Sequence, residues 1–206
     1  SRGVKNIKKT YLVHARLWNF FSILLLSLPV TIYSQELSPN IPIDTSYNVT
    51  SEYKKHLKKF PQITLAETGD TSDLIIHKNL VYATIGDRVL HLDVFMPSFA
   101  NLKKRLPAVV MVHGGGWRSG NKQMEWPMAC ALARRGYATV CVEYRLSAEA
   151  LYPAAIVDVQ TAIRWVKAHA RKYGFNKKRV ALMGNSAGGQ IAALLGTING
   201  YHLKFT

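Results

Sequence analysis

From residue 80 onward, short apolar runs alternate with amphipathic stretches, and this alternation predicts most of the elements. Residues 80–84 and 89–95 flank Ile85-Gly86-Asp87-Arg88, which predicts a hairpin of two antiparallel strands. In the second strand Leu90, Leu92 and Val94 alternate with His91, Asp93 and Phe95, the period of a half-buried strand, and Pro97 stops it. Residues 108–113 (AVVMVH) are apolar almost without interruption, which suits a central strand covered on both faces. Residues 124–135 predict a helix ended by Gly136, and residues 138–142 predict another buried strand. Pro153 opens a long helix reaching Tyr173, with Ile156, Val159, Ile163 and Val166 along one side and Gly174 at its end. A strand at 180–183 and a helix at 187–198 follow. A hairpin followed by strand–helix alternation predicts an α/β fold with a mainly parallel sheet.

The earlier chain reads differently. Residues 35–78 are polar and carry Pro39, Pro42 and Pro61, as expected of a linker and an N-terminal extension with one short helix at 51–59. Residues 17–33 (LWNFFSILLLSLPVTIY) form an apolar run behind Arg2, Lys5, Lys8, Lys9 and Arg16. A basic segment, an apolar stretch and a small polar residue, Ser34, are the order of a secretory signal peptide. Ile32 sits where cleavage favours a small residue, so an uncleaved N-terminal anchor is the alternative. The expected organisation is a signal or anchor at 1–34, an extension at 35–78 and an α/β domain at 79–206, in a protein exported to the periplasm or the medium.

Charge changes this picture less than its size suggests. The formal charge is +15, from 27 basic and 12 acidic residues. Setting aside the five basic residues before the apolar run leaves 22 against 12, and two clusters at 54–59 and 171–179 read as solvated faces. The interleaved aromatic and basic pattern of a nucleic-acid-binding sheet is missing, so no nucleic-acid partner is expected. Cys130 and Cys141 fall on a predicted helix and strand and form no metal-ligand pattern. Two buried thiols or one bridge both fit them.

Two glycine motifs carry the chemistry. Gly184-Asn185-Ser186-Ala187-Gly188 follows an apolar strand and precedes a small-residue helix, which suits a turn so sharp that Ser186 is pushed out as a nucleophile. His113-Gly114-Gly115-Gly116-Trp117 follows the other buried strand. The backbone N–H groups of Gly115 and Gly116, with that of Ala187, are the candidate oxyanion donors. His113 is expected to pin the glycine loop, with Gly114, Gly184 and Gly188 as its structural companions. Trp117 either lines a substrate pocket or covers the edge of the core. Glu143 and Arg145 suit a structural ion pair, and Asp158 suits a buried hydrogen-bonding position on the long helix. No Lys-Ser/Thr pair or G-x-G-x-x-G spacing supports a phosphate cradle, and neither cofactor nor metal is expected.

These motifs resemble those of the hormone-sensitive-lipase-like and carbohydrate-esterase-like branch of the α/β-hydrolase superfamily. The resemblance rests on His113 to Gly120, Glu143-Tyr144-Arg145-Leu146, Tyr152-Pro153-Ala154-Ala155 with Asp158, Ala162-Ile163-Arg164-Trp165, and Gly184 to Gly189. It implies a carboxylic-ester hydrolase acting on short acyl esters, with Ser186 as nucleophile, Gly115, Gly116 and Ala187 as the oxyanion hole, and esterified glycans among its substrates. A serine peptidase or amidase of the same fold is the rival within enzymes, and a non-catalytic binding protein the rival outside them. The superfamily order is Ser, then Asp or Glu, then His. After Ser186 the sequence has no acidic residue and only His202, too early for the base. The expectation is therefore an incomplete hydrolase domain, lacking its last strands and inactive alone, with its catalytic acid and histidine beyond Thr206.

Overall fold

The computed structural model describes residues 44–99 and 105–198. The signal or anchor at 1–34 and His202 lie outside the described residues. Among these the chain runs α1 (Val49–Leu57), β1 (Leu74–Ile85), β2 (Arg88–Pro97), β3 (Leu106–Val112), a 3-10 turn (Lys122–Glu125), α2 (Trp126–Ala133), β4 (Ala138–Val142), α3 (Ala154–Ala168), α4 (Ala170–Tyr173), β5 (Phe175–Gly184) and α5 (Ala187–Thr197). The five strands form one sheet in the order β1-β2-β4-β3-β5. The hairpin and the β2–β4 pair are antiparallel, while β3 lies between β4 and β5 and runs parallel to both.

The sheet is a middle layer because its central strands are apolar on both sides. Val110, Met111, Val112, Val140, Cys141 and Val142 are all fully buried. Val110, Val112, Val140 and Val142 join Leu92, Val94, Ile156, Val159, Val166 and Ile191 in one core, beneath α3 and α5. Met111 and Cys141 face the other way and meet Phe95, Ala129, Cys130 and Ala133 of α2. Each buried aliphatic side chain of this kind contributes about 1.5–3 kcal/mol. Both cysteines are free thiols in the second core, and burial raises the pKa of each. Among the described residues no helix is long and apolar enough to cross a membrane.

Three departures from the sequence expectation have physical causes. Strand β2 is buried on both faces from Leu92 onward, because Leu92 and Val94 enter the core beneath α3 and α5 while α2 covers the side carrying Asp93 and Phe95. Asp93 is fully buried: its Oδ1 accepts from Lys122 Nζ at 2.6 Å and Asn79 N at 2.7 Å, and its Oδ2 from Trp126 Nε1 at 2.9 Å. Strand β1 begins at Leu74, within the segment read as extension, because a bulge after His77 absorbs the polar residues that interrupt its pattern. Asn79 there has φ 56°. The long helix is two, α3 and α4, divided at His169, whose ring Nδ1 and backbone N both donate to Trp165 O at 2.9 Å.

Removing the counter-charge from a buried carboxylate should be costly, whereas opening a surface pair should not. Lys122→Met is expected to lower the unfolding free energy by on the order of 3 kcal/mol. Arg134→Gln, which breaks an exposed bridge to Asp73, should cost less than about 1 kcal/mol. Chemical denaturation of the two variants measures both, and equal losses would contradict the ranking.

Candidate active site

Strands β3 and β5 are parallel neighbours, and Val112 pairs with Gly184 at the end of their register. The segments that leave them therefore start side by side, at the carboxyl ends of the strands, where open parallel sheets present their binding sites.

Ser186 forms the turn between β5 and α5 with φ 49° and ψ −121°. A non-glycine residue held there stores on the order of 1–3 kcal/mol of strain, which the surrounding packing must sustain. Its side chain is exposed, and Ala187, the first residue of α5, is buried. The turn is this tight because two glycines touch. A Cβ on Gly184 would lie 2.4 Å from the carbonyl of Gly188, and a Cβ on Gly188 would lie 2.1 Å from Val112 O. The helix thus begins directly against the end of β3, and its amino end places a partial positive charge at the turn.

The glycine loop meets this elbow at Gly114, where a Cβ would stand 3.3 Å from Ser186 Cβ and 3.1 Å from Asn185 O. Its next turn closes on Gly115, whose carbonyl accepts from the backbone N–H groups of Arg118 and Ser119 at 3.1 Å each and from Ser119 Oγ at 2.9 Å. Among the described residues no protein acceptor takes a hydrogen bond from the N–H of Gly115, Gly116 or Ala187. Three backbone donors at the mouth of two adjoining strands are free for a ligand.

His113 is not free. It is 1% exposed, its Nδ1 donates to Gly114 O at 2.7 Å, and its ring stacks on Tyr144 at 4.4 Å. Tyr144 Oη in turn donates to His113 O at 3.0 Å. Burial holds the imidazole below its ordinary pKa, and the hydrogen bond to Gly114 opposes this without reversing it. Ser186 Oγ makes no hydrogen bond among the described residues, and none of the described histidines pairs with it.

Beyond the loop lies a cavity of about 410 Å³, bounded by Gly116, Trp117, Arg118, Arg145, Tyr152 and Ile156 among others. Trp117, at φ 60°, is partly exposed on its wall instead of closing over the core. Arg145 grips Asp158 through Nε and Nη2 at 2.9 and 2.8 Å, and its backbone N donates to the same carboxylate at 2.9 Å. Glu143 pairs with Arg88, which also binds Glu149. Burial would raise the Glu143 pKa, but the hydrogen bonds from Arg88 and His91 outweigh it and hold the carboxyl below its ordinary value. Among the described residues no cluster of three or more His, Cys, Asp or Glu side chains could hold a metal ion.

Residues 92–204 match the BD-FAE family model. The chain belongs to the BD-FAE family. It is 43% identical over 95 residues to the carboxylesterase NlhH of Mycobacterium tuberculosis, a match covering 46% of this chain and 30% of that protein. Its fold resembles a thermophilic esterase of the planctomycete Thermogutta terrifontis, with a TM-score of 0.53 and 28% identity over 60% of this chain and 44% of the esterase. A bacterial heroin esterase aligns over 78% of this chain and 50% of its own, with a TM-score of 0.59 and 24% identity, and supports the fold alone. The chain thus has the α/β-hydrolase fold and spans half or less of these relatives.

The two glycine motifs mark the glycines and the serine in the sequence, but the side chains that hold them are less visible. Tyr144 and Ser119 lie within the motifs yet carry no signal of stacking on His113 or holding Gly115. Arg88 sits 61 residues from its partner Glu149, and only the fold brings them together. Arg145 and Asp158 are 13 residues apart, and an Arg after a buried strand facing an Asp on a helix was the one readable clue.

The glycine contacts predict opposite outcomes at two positions. Gly188→Ala forces a Cβ onto Val112 O and should destabilise the domain by about 3 kcal/mol or more, displacing Ser186. Gly116→Ala meets nothing within 4 Å and should cost only about 1–2 kcal/mol, from its φ of 60°. Thermal unfolding of both variants separates crowding from backbone conformation.

The depressed imidazole predicts a pH dependence. The unfolded chain binds a proton at His113 near the usual pKa of about 6.5, while the folded chain does so only at lower pH. Stability is therefore unaffected above that pH and falls as the medium is acidified through it. His113→Gln should flatten this decline in denaturation midpoints measured from pH 7.5 to 5, and an unchanged slope would count against it.

Proposed function

We propose that the protein is a hydrolase of carboxylic esters in which Ser186 is the nucleophile. The observation that carries this reading is the elbow itself: an exposed serine at φ 49°, seated against Gly114, beside three backbone N–H groups with no protein acceptor among the described residues. Ser186 Oγ attacks the ester carbonyl as a histidine accepts its proton. The carbonyl oxygen becomes an oxyanion held by the N–H groups of Gly115, Gly116 and Ala187, each worth roughly 3 kcal/mol in such a site. The tetrahedral intermediate collapses, the alcohol leaves with the proton returned by the histidine, and water then releases the acid from Ser186 by the same steps in reverse order. His113 cannot serve as that histidine, because its Nδ1–H is committed to Gly114 and its ring is buried under Tyr144. The base and its acidic partner lie outside the described residues.

Short acyl esters are the substrates in this reading. The Thermogutta terrifontis esterase is known with propionate and with butyrate bound, at 28% identity to this chain. Esterified glycans are the favoured natural source of such esters. A truncated carbohydrate esterase from gut microbiota has a TM-score of 0.54 and 28% identity. The basic and apolar pattern of residues 2–33 supports export, which would bring the enzyme to extracellular glycans.

The full protein carrying this chain should hydrolyse 4-nitrophenyl acetate and butyrate, and a fluorophosphonate should label Ser186. Ser186→Ala is expected to lower kcat by at least about 10³-fold and to abolish labelling. Turnover that survives the substitution would end the serine mechanism.

A further inference from the structure

The cavity beside the glycine loop holds two arginines and no carboxylate among its lining residues. Their situations differ. Arg145 is committed to the architecture, with Nε and Nη2 on the buried carboxylate of Asp158. Arg118 is anchored by its backbone, which donates to Gly115 O at 3.1 Å, but its guanidinium makes no hydrogen bond or ion pair among the described residues. The exposed carboxyl of Asp44 senses this charge only weakly, after its own hydrogen bonds from Ser46, and forms no ion pair with it.

The rest of the wall is largely apolar: Trp117, Ala150, Pro153, Ala155 and Ile156. Arg118 is exposed beside this wall, and the planar fork of a guanidinium matches a carboxylate in two-point fashion. A cavity of about 410 Å³ is in the range that encloses a small organic ligand. It is also joined to the elbow. Gly116 lines the cavity, and Gly114, two residues earlier, abuts Ser186, a span of at most about 7 Å along the chain. A substrate with its ester at Ser186 can therefore extend toward the cavity.

We infer that this cavity is a subsite for an anionic substrate group, and that Arg118 selects esters carrying a carboxylate a few atoms from the scissile bond. The inference rests on the serine-hydrolase reading and adds the substrate class. A half-ester of a dicarboxylic acid would place the carboxylate on the acyl side, and an ester of a hydroxy acid, such as a sugar acid, on the alcohol side. The chemistry recognised is the same.

Two pairs of esters distinguish these sources in the full protein. Mono-4-nitrophenyl glutarate is compared with 4-nitrophenyl valerate for the acyl side, and 4-acetoxybenzoate with 4-methylphenyl acetate for the alcohol side. Arg118→Gln should lower kcat/KM for the anionic member of one pair by about thirtyfold, chiefly through KM, and change the neutral members less than about twofold. Arg118→Lys should retain part of the preference. Binding supplies a second readout that needs no turnover: monomethyl glutarate and 4-acetoxybenzoate titrated calorimetrically into the Ser186→Ala protein. At least one should bind about tenfold more weakly, or not at all, once Arg118→Gln is added. Equal effects on anionic and neutral esters, or binding of both anions indifferent to Arg118, would overturn the subsite. Arg118-dependent binding in a protein that hydrolyses no ester would instead uphold the subsite and defeat the hydrolase reading. Unfolding midpoints of the Arg118 variants confirm that the exposed substitutions leave the fold intact.

Discussion

The whole site depends on one close approach: the first turn of α5 packed onto the carbonyl end of β3, with no side chain at Gly188 to hold them apart. That contact fixes where β5 must turn, which in turn forces Ser186 into a backbone conformation that an L-residue seldom adopts. The same contact places the elbow against the start of the glycine loop, because the loop is the direct continuation of β3. Strain of this kind persists only where the scaffold beneath is over-determined. Strand β3 meets that condition. It is paired on both edges and buried on both faces, so the two turns inherit a rigid base.

Around that base, polar groups set positions more than they supply stability. The stack of Tyr144 on His113 holds the start of the loop, and the Arg145–Asp158 pair ties the segment after β4 to α3. Arg88 reaches Glu143 and Glu149 together, and Glu149 accepts from Leu146 N at 2.8 Å, so the hairpin steadies the segment that forms one wall of the cavity. Burying such charges costs nearly as much as pairing them returns, so their main effect is on geometry. Among the described residues no buried side-chain polar atom lacks a partner, so the clamps are complete.

Much of this was legible in the sequence because it is local. Hydrophobic periodicity marked the hairpin, the strands at β3, β4 and β5 and the helices that follow them, and glycine placement marked both turns. What the sequence concealed was non-local. Asp93 read as the solvent side of a half-buried strand, since nothing nearby announces that Lys122, Asn79 and Trp126 will close over it. The start of β1 was concealed by a bulge, which breaks the alternation that a pattern search requires. The break at His169 was concealed because Ala, Arg, Lys and His all continue a helical pattern, and only the ring's bond to Trp165 O shows where the helix stops.

The two arginines of the cavity show where sequence reading gives way to structure. Both stand a few residues beyond the end of a buried strand, and as letters they are equivalent. In the fold, Arg145 finds a carboxylate on the neighbouring helix and becomes architecture, while Arg118 lines the cavity with no hydrogen bond or ion pair from its guanidinium among the described residues. Arg118 is exposed, so its charge stays solvated without a protein partner, and its planar fork of donors is not committed to the fold. The elbow and the glycine loop thus account for how an ester could be cleaved, and the contrast between these two side chains bears on which ester it is.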